Sequence, residues 1–483
     1  MINVQLALKV VVAIVLLAST PLALKRRWRL FLAIPLSVVQ GFVPWVQIAG
    51  VPIPIAFWGG LMLWPELVRE FRNVVAWKPT AYICGIVILY IVSLLWSPDP
   101  KIGLQPIGYF LEFLVIFAAV VTEWRRDEKL VLRLLAVTVT LALLQASAVA
   151  AFYMMPGVKL AYLTSNISKW FISPNTIDHL FTTAQNNGVS PGKSGGLNNT
   201  NANAAATYLG VVAFIAIGLA LQLRRRWLGL VGIILLGAVA FTGSKAGLML
   251  AVALPILALQ AMSKRYRGLR NRLRMAMVGI VLVGGLAWLL PKAIQATESG
   301  SYRELAGFFQ QSDMTLDLRE KIWGYGAKAF AKQPFLGQGF GGWQEGFPRY
   351  ARKVGIGLHF PPHNTIIYLW SQGGLLAALL GLAFIYRVLR YGWQEMRNPL
   401  SPAFGLHLAM TLAFLWVFVQ GMGENFGLIG GVHTSPLLAY ILALSYVFRR
   451  SRPLTHSARQ SSDYGEFNGE PVNEPLLQRS GES

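Results

Sequence analysis

Apolar runs of about 20 residues recur along this chain, separated by short clusters of basic residues. About 20 apolar residues is what a helix needs to cross the hydrocarbon of a bilayer. About thirteen such runs can be read: 4–23, 30–48, 51–68, 80–96, 103–122, 131–155, 203–223, 228–242, 246–262, 275–291, 364–386, 402–421 and 429–448. Composition agrees. Of 483 residues, 54% are hydrophobic and only 13% charged, where an average soluble domain carries roughly 25% charged residues. The pattern predicts an all-α integral membrane protein of about 12–13 transmembrane helices, and it rules out a soluble enzyme.

The net charge of +22 would suit a nucleic-acid binder if it formed one face. It does not. The cations gather at every second junction, at 25–29, 69–78, 124–133, 224–226, 263–274, 387–397 and 449–452. The short junctions between them carry at most one Lys or Arg. That alternation is the positive-inside signature, and no basic stripe remains to follow a phosphate backbone. It predicts a polytopic domain over 1–450 with extracytoplasmic, periplasmic loops at 156–202 and 292–363. The polar tail 451–483 is expected to be cytoplasmic and disordered. The side on which the N-terminus lies depends on whether 12 or 13 spans are present. The lone Cys84 excludes disulfides and thiolate metal clusters. No cleavable signal is expected, because the first basic cluster follows the first apolar run instead of preceding it.

Several motifs fail on their context. Gly337, Gly339 and Gly342 match G-x-G-x-x-G, but no strand precedes them and Pro334 lies just upstream, so they predict a turn rather than a dinucleotide site. Gly192-Lys193-Ser194 resembles the end of a phosphate loop, yet the position five residues before Gly192 is Asn187. Ser190 and Lys193 fit S-x-x-K without the companion motifs of that chemistry. No metal-binding pattern is present, and no cofactor is expected.

One constellation survives. The large loop ends in Pro361-Pro362-His363-Asn364, at the start of a span. Upstream lie Arg319-Glu320-Lys321-Ile322-Trp323 and Pro334-Phe335-Leu336-Gly337-Gln338-Gly339, and Thr242-Gly243-Ser244-Lys245 sits at the end of an earlier span. The alternation puts all three at one face of the membrane. Fixed cations there can hold a diphosphate leaving group, and a histidine can take a proton from an attacking hydroxyl. His359 is a rival for that role, and a histidine opening a helix is by itself more often a cap than a catalyst.

The Pro-His-Asn opening, the Arg-x-x-x-Trp and Pro-x-x-Gly-x-Gly segments, the Thr-Gly-Ser-Lys turn and Trp96-Ser97-Pro98-Asp99-Pro100 together resemble the O-antigen ligase and O-antigen polymerase superfamily over about residues 80 to 390. The resemblance implies a metal-independent membrane glycosyltransferase of the GT-C type in the bacterial inner membrane. Such an enzyme moves a glycan from undecaprenyl diphosphate to a hydroxyl at the periplasmic face. In a ligase the acceptor is lipid A–core; in a polymerase it is a second lipid-linked glycan. The same resemblance implies His363 and Arg319 as catalytic residues and Lys245 as a contact of the diphosphate; Ser244, Lys321 and Asn364, from the same motifs, are further candidates to contact the diphosphate or glycan. Lys245 departs from the Arg that many relatives carry there, keeping the charge but losing the bidentate fork. The stretch from Gly195 to Asn201 resembles a span entry of the family and is expected to cap its helix. The competing class is a secondary transporter or flippase, for which mid-span acids would be the sign; Glu112 and, near a span end, Glu424 are the candidates.

Overall fold

The computed structural model describes residues 45–48, 51–54, 62–172, 177, 192–198, 201–261, 303–398, 401, 403–424, 427–431 and 434–450. The expected spans 4–23 and 275–291, most of 30–48, the tail 451–483, Ser190 and parts of both expected loops lie outside these residues.

The described chain is helical: α1 Trp64–Ala76, α2 Lys78–Ser93, α3 Pro100–Trp124, α4 Glu128–Met154, α5 Pro156–Thr164, α6 Ala202–Leu223, α7 Arg226–Ala240, α8 Lys245–Ala261, α9 Arg303–Lys332, α10 Gly342–Val354, α11 Thr365–Arg397, α12 Phe404–Gly421 and α13 Ser435–Arg450. Six of them, α2 with its following turn, α3, α4, α6, α11 and α12, are long and apolar enough to cross a membrane, and α7, α8 and α13 are shorter apolar helices. This is the all-helical membrane architecture that the apolar runs implied.

Two expected spans differ. Around 45–54 the chain forms a hairpin, in which β1 Trp45–Ile48 pairs antiparallel with β2 Val51–Pro54 and Trp45 faces Pro54. Pro44, Pro52 and Pro54 cannot donate to a helical ladder, and the β-branched Val46, Ile48, Val51 and Ile53 suit a pleat. No single helix therefore covers 51–68; α1 begins only at Trp64. The last span starts at Ser435 rather than 429, after a turn in which Gly427, Gly430 and Gly431 all have positive φ.

Capping fixes several helix starts: the side chains of Asp99, Asp127, Asn201 and Asn364 each accept a backbone N–H in the first turn of α3, α4, α6 and α11. Packing centres on α6, which lies between α7 and α12, while α2 packs on α11 and α3 on α13. Helices in a bilayer gain most from close van der Waals approach, which small residues permit. Gly218 of α6 and Gly405 of α12 meet so closely that a Cβ on either would strike the other's carbonyl oxygen.

The contacts sort the helix termini to two ends. At one end Arg125 pairs with Glu70 at 2.6 Å, and His407 and Arg449 flank Glu395. At the other end the starts of α6, α8 and α11 meet the end of α12, and α9 and α10 lie across them. The turn between α9 and α10 is where Gly337, Gly339 and Gly341 take positive φ, so the glycine motif is a turn, as its context implied. This turn is anchored twice. On one side Phe340 N–H donates to Ser97 Oγ (2.8 Å) and Asp99 N–H to the Phe340 carbonyl (3.1 Å), which joins the Trp-Ser-x-Asp-Pro segment to the Gly-x-Gly segment. On the other it enters a breach in α11, which is broken at Gly374 (φ 78°, ψ −175°). There Leu375 N–H donates to the Phe335 carbonyl (3.0 Å), Gln338 N–H to the Ser371 carbonyl (2.9 Å) and the Trp370 indole to the Pro334 carbonyl (2.9 Å).

Candidate functional site

Arg319 and Trp323 are four residues apart on α9 and share one face. The Trp323 indole donates to the Pro362 carbonyl (3.1 Å), while the Trp343 indole of α10 donates to the Phe360 carbonyl (2.9 Å). Both helices thus hold the Pro-Pro-His-Asn segment. Asn364 caps α11, accepting from Ile366 and Ile367 N–H, and its amide donates to the Met422 carbonyl at 3.3 Å. Between these fixed points His363 adopts φ 48°, the left-handed region. A non-glycine residue held there costs free energy, and such positions cluster at working sites.

Everything converges on Glu424, just past the end of α12. Its Oε1 accepts from Arg319 Nη2 (3.0 Å) and from Asn203 Nδ2 (2.6 Å), and its Oε2 lies 3.7 Å from His363 Nδ1. That ring nitrogen is buried and makes no hydrogen bond of its own. Asn203, in the first turn of α6, also accepts the Ser244 hydroxyl at 2.6 Å, and its backbone carbonyl takes the Gln420 amide at 3.1 Å. Three sequence-distant segments therefore close on one carboxylate.

Two more cations stand beside it. The loop carrying Lys193 is gripped from below: Gln145 of α4 bonds the Gly195 carbonyl and Leu197 N–H, and Lys159 of α5 donates to the Lys193 carbonyl. Ser194 N–H then donates to the Thr242 carbonyl, docking this loop on the Thr-Gly-Ser-Lys turn. Burial pushes the Lys193 ammonium below its ordinary value; the Glu424 carboxylate pulls it back up and the neighbouring Lys245 opposes that. Lys245, the first residue of α8, is exposed.

The structure thus brings Arg319, His363, Ser244 and Asn364 together, with Lys245 alongside. Ser244 and Asn364 spend their side chains on caps and on neighbouring segments, Ser244 also accepting Gly247 N–H. Lys321 points elsewhere on α9 and pairs with Asp317 at 2.8 Å. His359 is exposed, outside the cluster. Asn201 caps α6, as the span entry implied. Sequence reasoning missed Glu424 as the hub, Asn203 and Gln420 as its supports, and Lys193, which had been set aside with its failed motif. Only Glu424 gave a signal, as an acid near the end of an apolar run. Among the described residues no three His, Cys, Asp or Glu side chains gather to hold a metal ion.

No individual curated protein matches the chain. A family model described as O-antigen ligase matches residues 230–382, which include the Thr-Gly-Ser-Lys turn, Arg319, the Gly-x-Gly turn and His363 but neither Asn203 nor Glu424. Over that stretch, where α7 to α11 supply most of the cluster just described, the chain is similar to the O-antigen ligase family, as its motifs implied.

Proposed function

We propose that this protein is a membrane glycosyltransferase that moves a glycan from undecaprenyl diphosphate to an acceptor hydroxyl, as an O-antigen ligase with lipid A–core as acceptor. The observation that carries this reading is the convergence of Arg319, Lys193, Lys245 and His363 around the single carboxylate of Glu424. Cations in excess over acids make a site for a dianion, and a histidine beside them supplies a base. The acceptor oxygen attacks the anomeric carbon, the bond from that carbon to the diphosphate oxygen breaks, and the lipid diphosphate leaves with the electron pair. His363 takes the acceptor proton. Arg319 uses one nitrogen on Glu424 and keeps further donors for the phosphates. Glu424 holds both partners in place and stabilises the imidazolium that forms, as the carboxylate of a catalytic triad does. No metal enters this sequence. A transporter would instead line a mid-bilayer cavity with its ionisable groups, whereas these sit at helix ends.

The same alternation of basic residues that marks the spans supports an inner-membrane protein with this cluster facing the periplasm. The end opposite the cluster carries Arg125 and Arg449. Cysteines placed at Ser190 and Ser312 in a Cys84-free background are expected to label with an impermeant reagent in intact cells, and Ser462→Cys to stay protected; the reverse result overturns the orientation. Purified protein given the lipid-linked donor and lipid A–core should form the ligated product. Product only with a second lipid-linked glycan would make it a polymerase, and a folded protein inactive with both acceptors would overturn glycan transfer.

A further inference from the structure

Lys328 lies nine residues beyond Arg319 on α9, two and a half helical turns away at 3.6 residues per turn, so it faces the opposite side of the helix. On that side α9, α10 and the turn between them enclose a pocket of about 970 Å³. Two cations spaced one turn apart on α9, Lys328 and Lys332, meet Arg349 and Lys353, spaced one turn apart on α10. Glu345, 3.9 Å from Arg349, is the one acid among the described residues of the wall. Facing rows of like charge repel unless an anion lies between them.

The rest of the wall suits a sugar. The Trp96 indole N–H and the Gln338 side-chain oxygen are both buried there without a hydrogen-bond partner, one a donor and the other an acceptor. Gln338 is otherwise held by its amide on the Tyr325 hydroxyl (2.9 Å), and Tyr350 offers a ring face with Lys328 5.0 Å from its centroid. At the rim Phe335 and Leu336 are 75% and 60% exposed, beside the breach in α11. Apolar side chains bared beside a helix long and apolar enough to cross a membrane suit a boundary with lipid rather than open water.

We propose that this pocket receives the anionic saccharide headgroup of a membrane-anchored glycolipid, and that it is the acceptor subsite of the transfer reaction. That role rests on the glycosyltransferase reading above; the binding itself does not. The cation rows take phosphate or carboxylate groups on the saccharide, the orphaned indole and amide take hydroxyls, and the apolar rim keeps the lipid anchor in the bilayer.

The test uses the full-length protein and a Lys332→Gln/Lys353→Gln variant, whose two lysines are exposed, so that folding is not at stake. Three probes are compared by equilibrium binding: the deacylated, phosphorylated lipid A–core oligosaccharide, the same oligosaccharide dephosphorylated, and phosphatidylglycerol vesicles. The phosphorylated oligosaccharide is expected to bind, and to bind at least about tenfold more weakly when either the phosphates or the two lysine charges are removed. Arg352→Gln, outside the pocket, should bind like the parent. In turnover, the double variant should show a raised acceptor KM with kcat and donor KM unchanged. Equal binding by parent and variant overturns the proposal, as does displacement of the oligosaccharide by phosphatidylglycerol at matching concentration, which would make this a general lipid patch. A fall in kcat or a rise in donor KM would assign the cations to the reaction centre and overturn the subsite. If the oligosaccharide binds as expected but the parent transfers nothing, the transferase reading fails and the binding site stands.

Discussion

The two ends of the bundle each carry a glutamate flanked by a histidine and an arginine, and only one of the two clusters is proposed as the reaction centre. Glu424 has Arg319 at 3.0 Å and His363 at 3.7 Å; Glu395 has His407 at 3.8 Å and Arg449 at 3.9 Å. The difference lies in backbone and access. His407 sits in the first turn of α12, 1% exposed, edge-on to the Tyr391 ring at 5.6 Å. His363 is 24% exposed, on a loop with left-handed φ that two indoles and a capping asparagine hold in place. Glu424 is also joined by Asn203 and neighboured by Lys193 and Lys245, whereas the cation beside Glu395 faces solvent. A shared set of residue types thus gives two different settings: the Glu424 cluster has an opening, a surplus of charge and a strained, clamped backbone, and these are the features on which the proposed site rests.

The comparison is broken most directly through the histidines. His363→Ala is expected to lower transfer by about 10²–10⁴, the usual worth of a general base, with donor binding retained. His407→Ala should turn over normally but melt earlier, since it empties a buried position. His359→Ala should keep substantial turnover. Assays with purified donor and acceptor, alongside melting curves, decide it; a silent His363→Ala or a dead His407→Ala would reverse the assignment. Next come the arginines. Arg319→Ala should cost roughly 10²–10³ in rate, as loss of a preorganised charge donor does. Arg449→Ala, which takes a half-exposed arginine from beside the buried Glu395, should lower the melting temperature and leave rate alone.

The smallest effect concerns pH. Burial lowers the Lys193 ammonium, and a bound dianion would favour its charged form. Donor binding should therefore take up a proton and weaken as pH rises through that lowered range, so donor KM climbs on the alkaline side. Lys193→Arg, which stays charged, should flatten the climb by a few-fold. A parallel climb in both proteins would remove Lys193 from the donor site.

Much of the frame was legible because bilayer thickness imposes a length on every span. The runs 203–223 and 402–421 became Ala202–Leu223 and Phe404–Gly421 with almost no adjustment. Hydropathy marks the bilayer rather than the helix, however. α11 therefore continues past 386 to Arg397 because its backbone bonds persist where the side chains turn polar. The hairpin at 45–54 was hidden for the opposite reason, apolar residues around prolines that no helix accommodates. At the site, Arg319, His363 and the Thr-Gly-Ser-Lys turn were readable as short local patterns. Glu424 was not, since it reaches His363 across 61 positions and Asn203 across 221, and nothing local to a lone acid announces three partners. Lys193 was lost for a related reason, because a failed motif says nothing about what a loop packs against.

The breach in α11 at Gly374 has a mechanical consequence. In an unbroken helix the bonds given up there would close within the span; here Leu375 and Ser371 share theirs with the α9–α10 turn. Each such bond is worth about 1 kcal/mol net, and an irregular backbone at this depth survives only while protein satisfies it. The first turns of α11, which begin at Asn364 beside His363, are therefore fastened to the same turn that forms one wall of the cationic pocket. A load on that wall reaches the imidazole as a displacement of its own mounting, with no signal needed through the interior. On the proposed function, grip on a saccharide and aim of the base would be set by one lever.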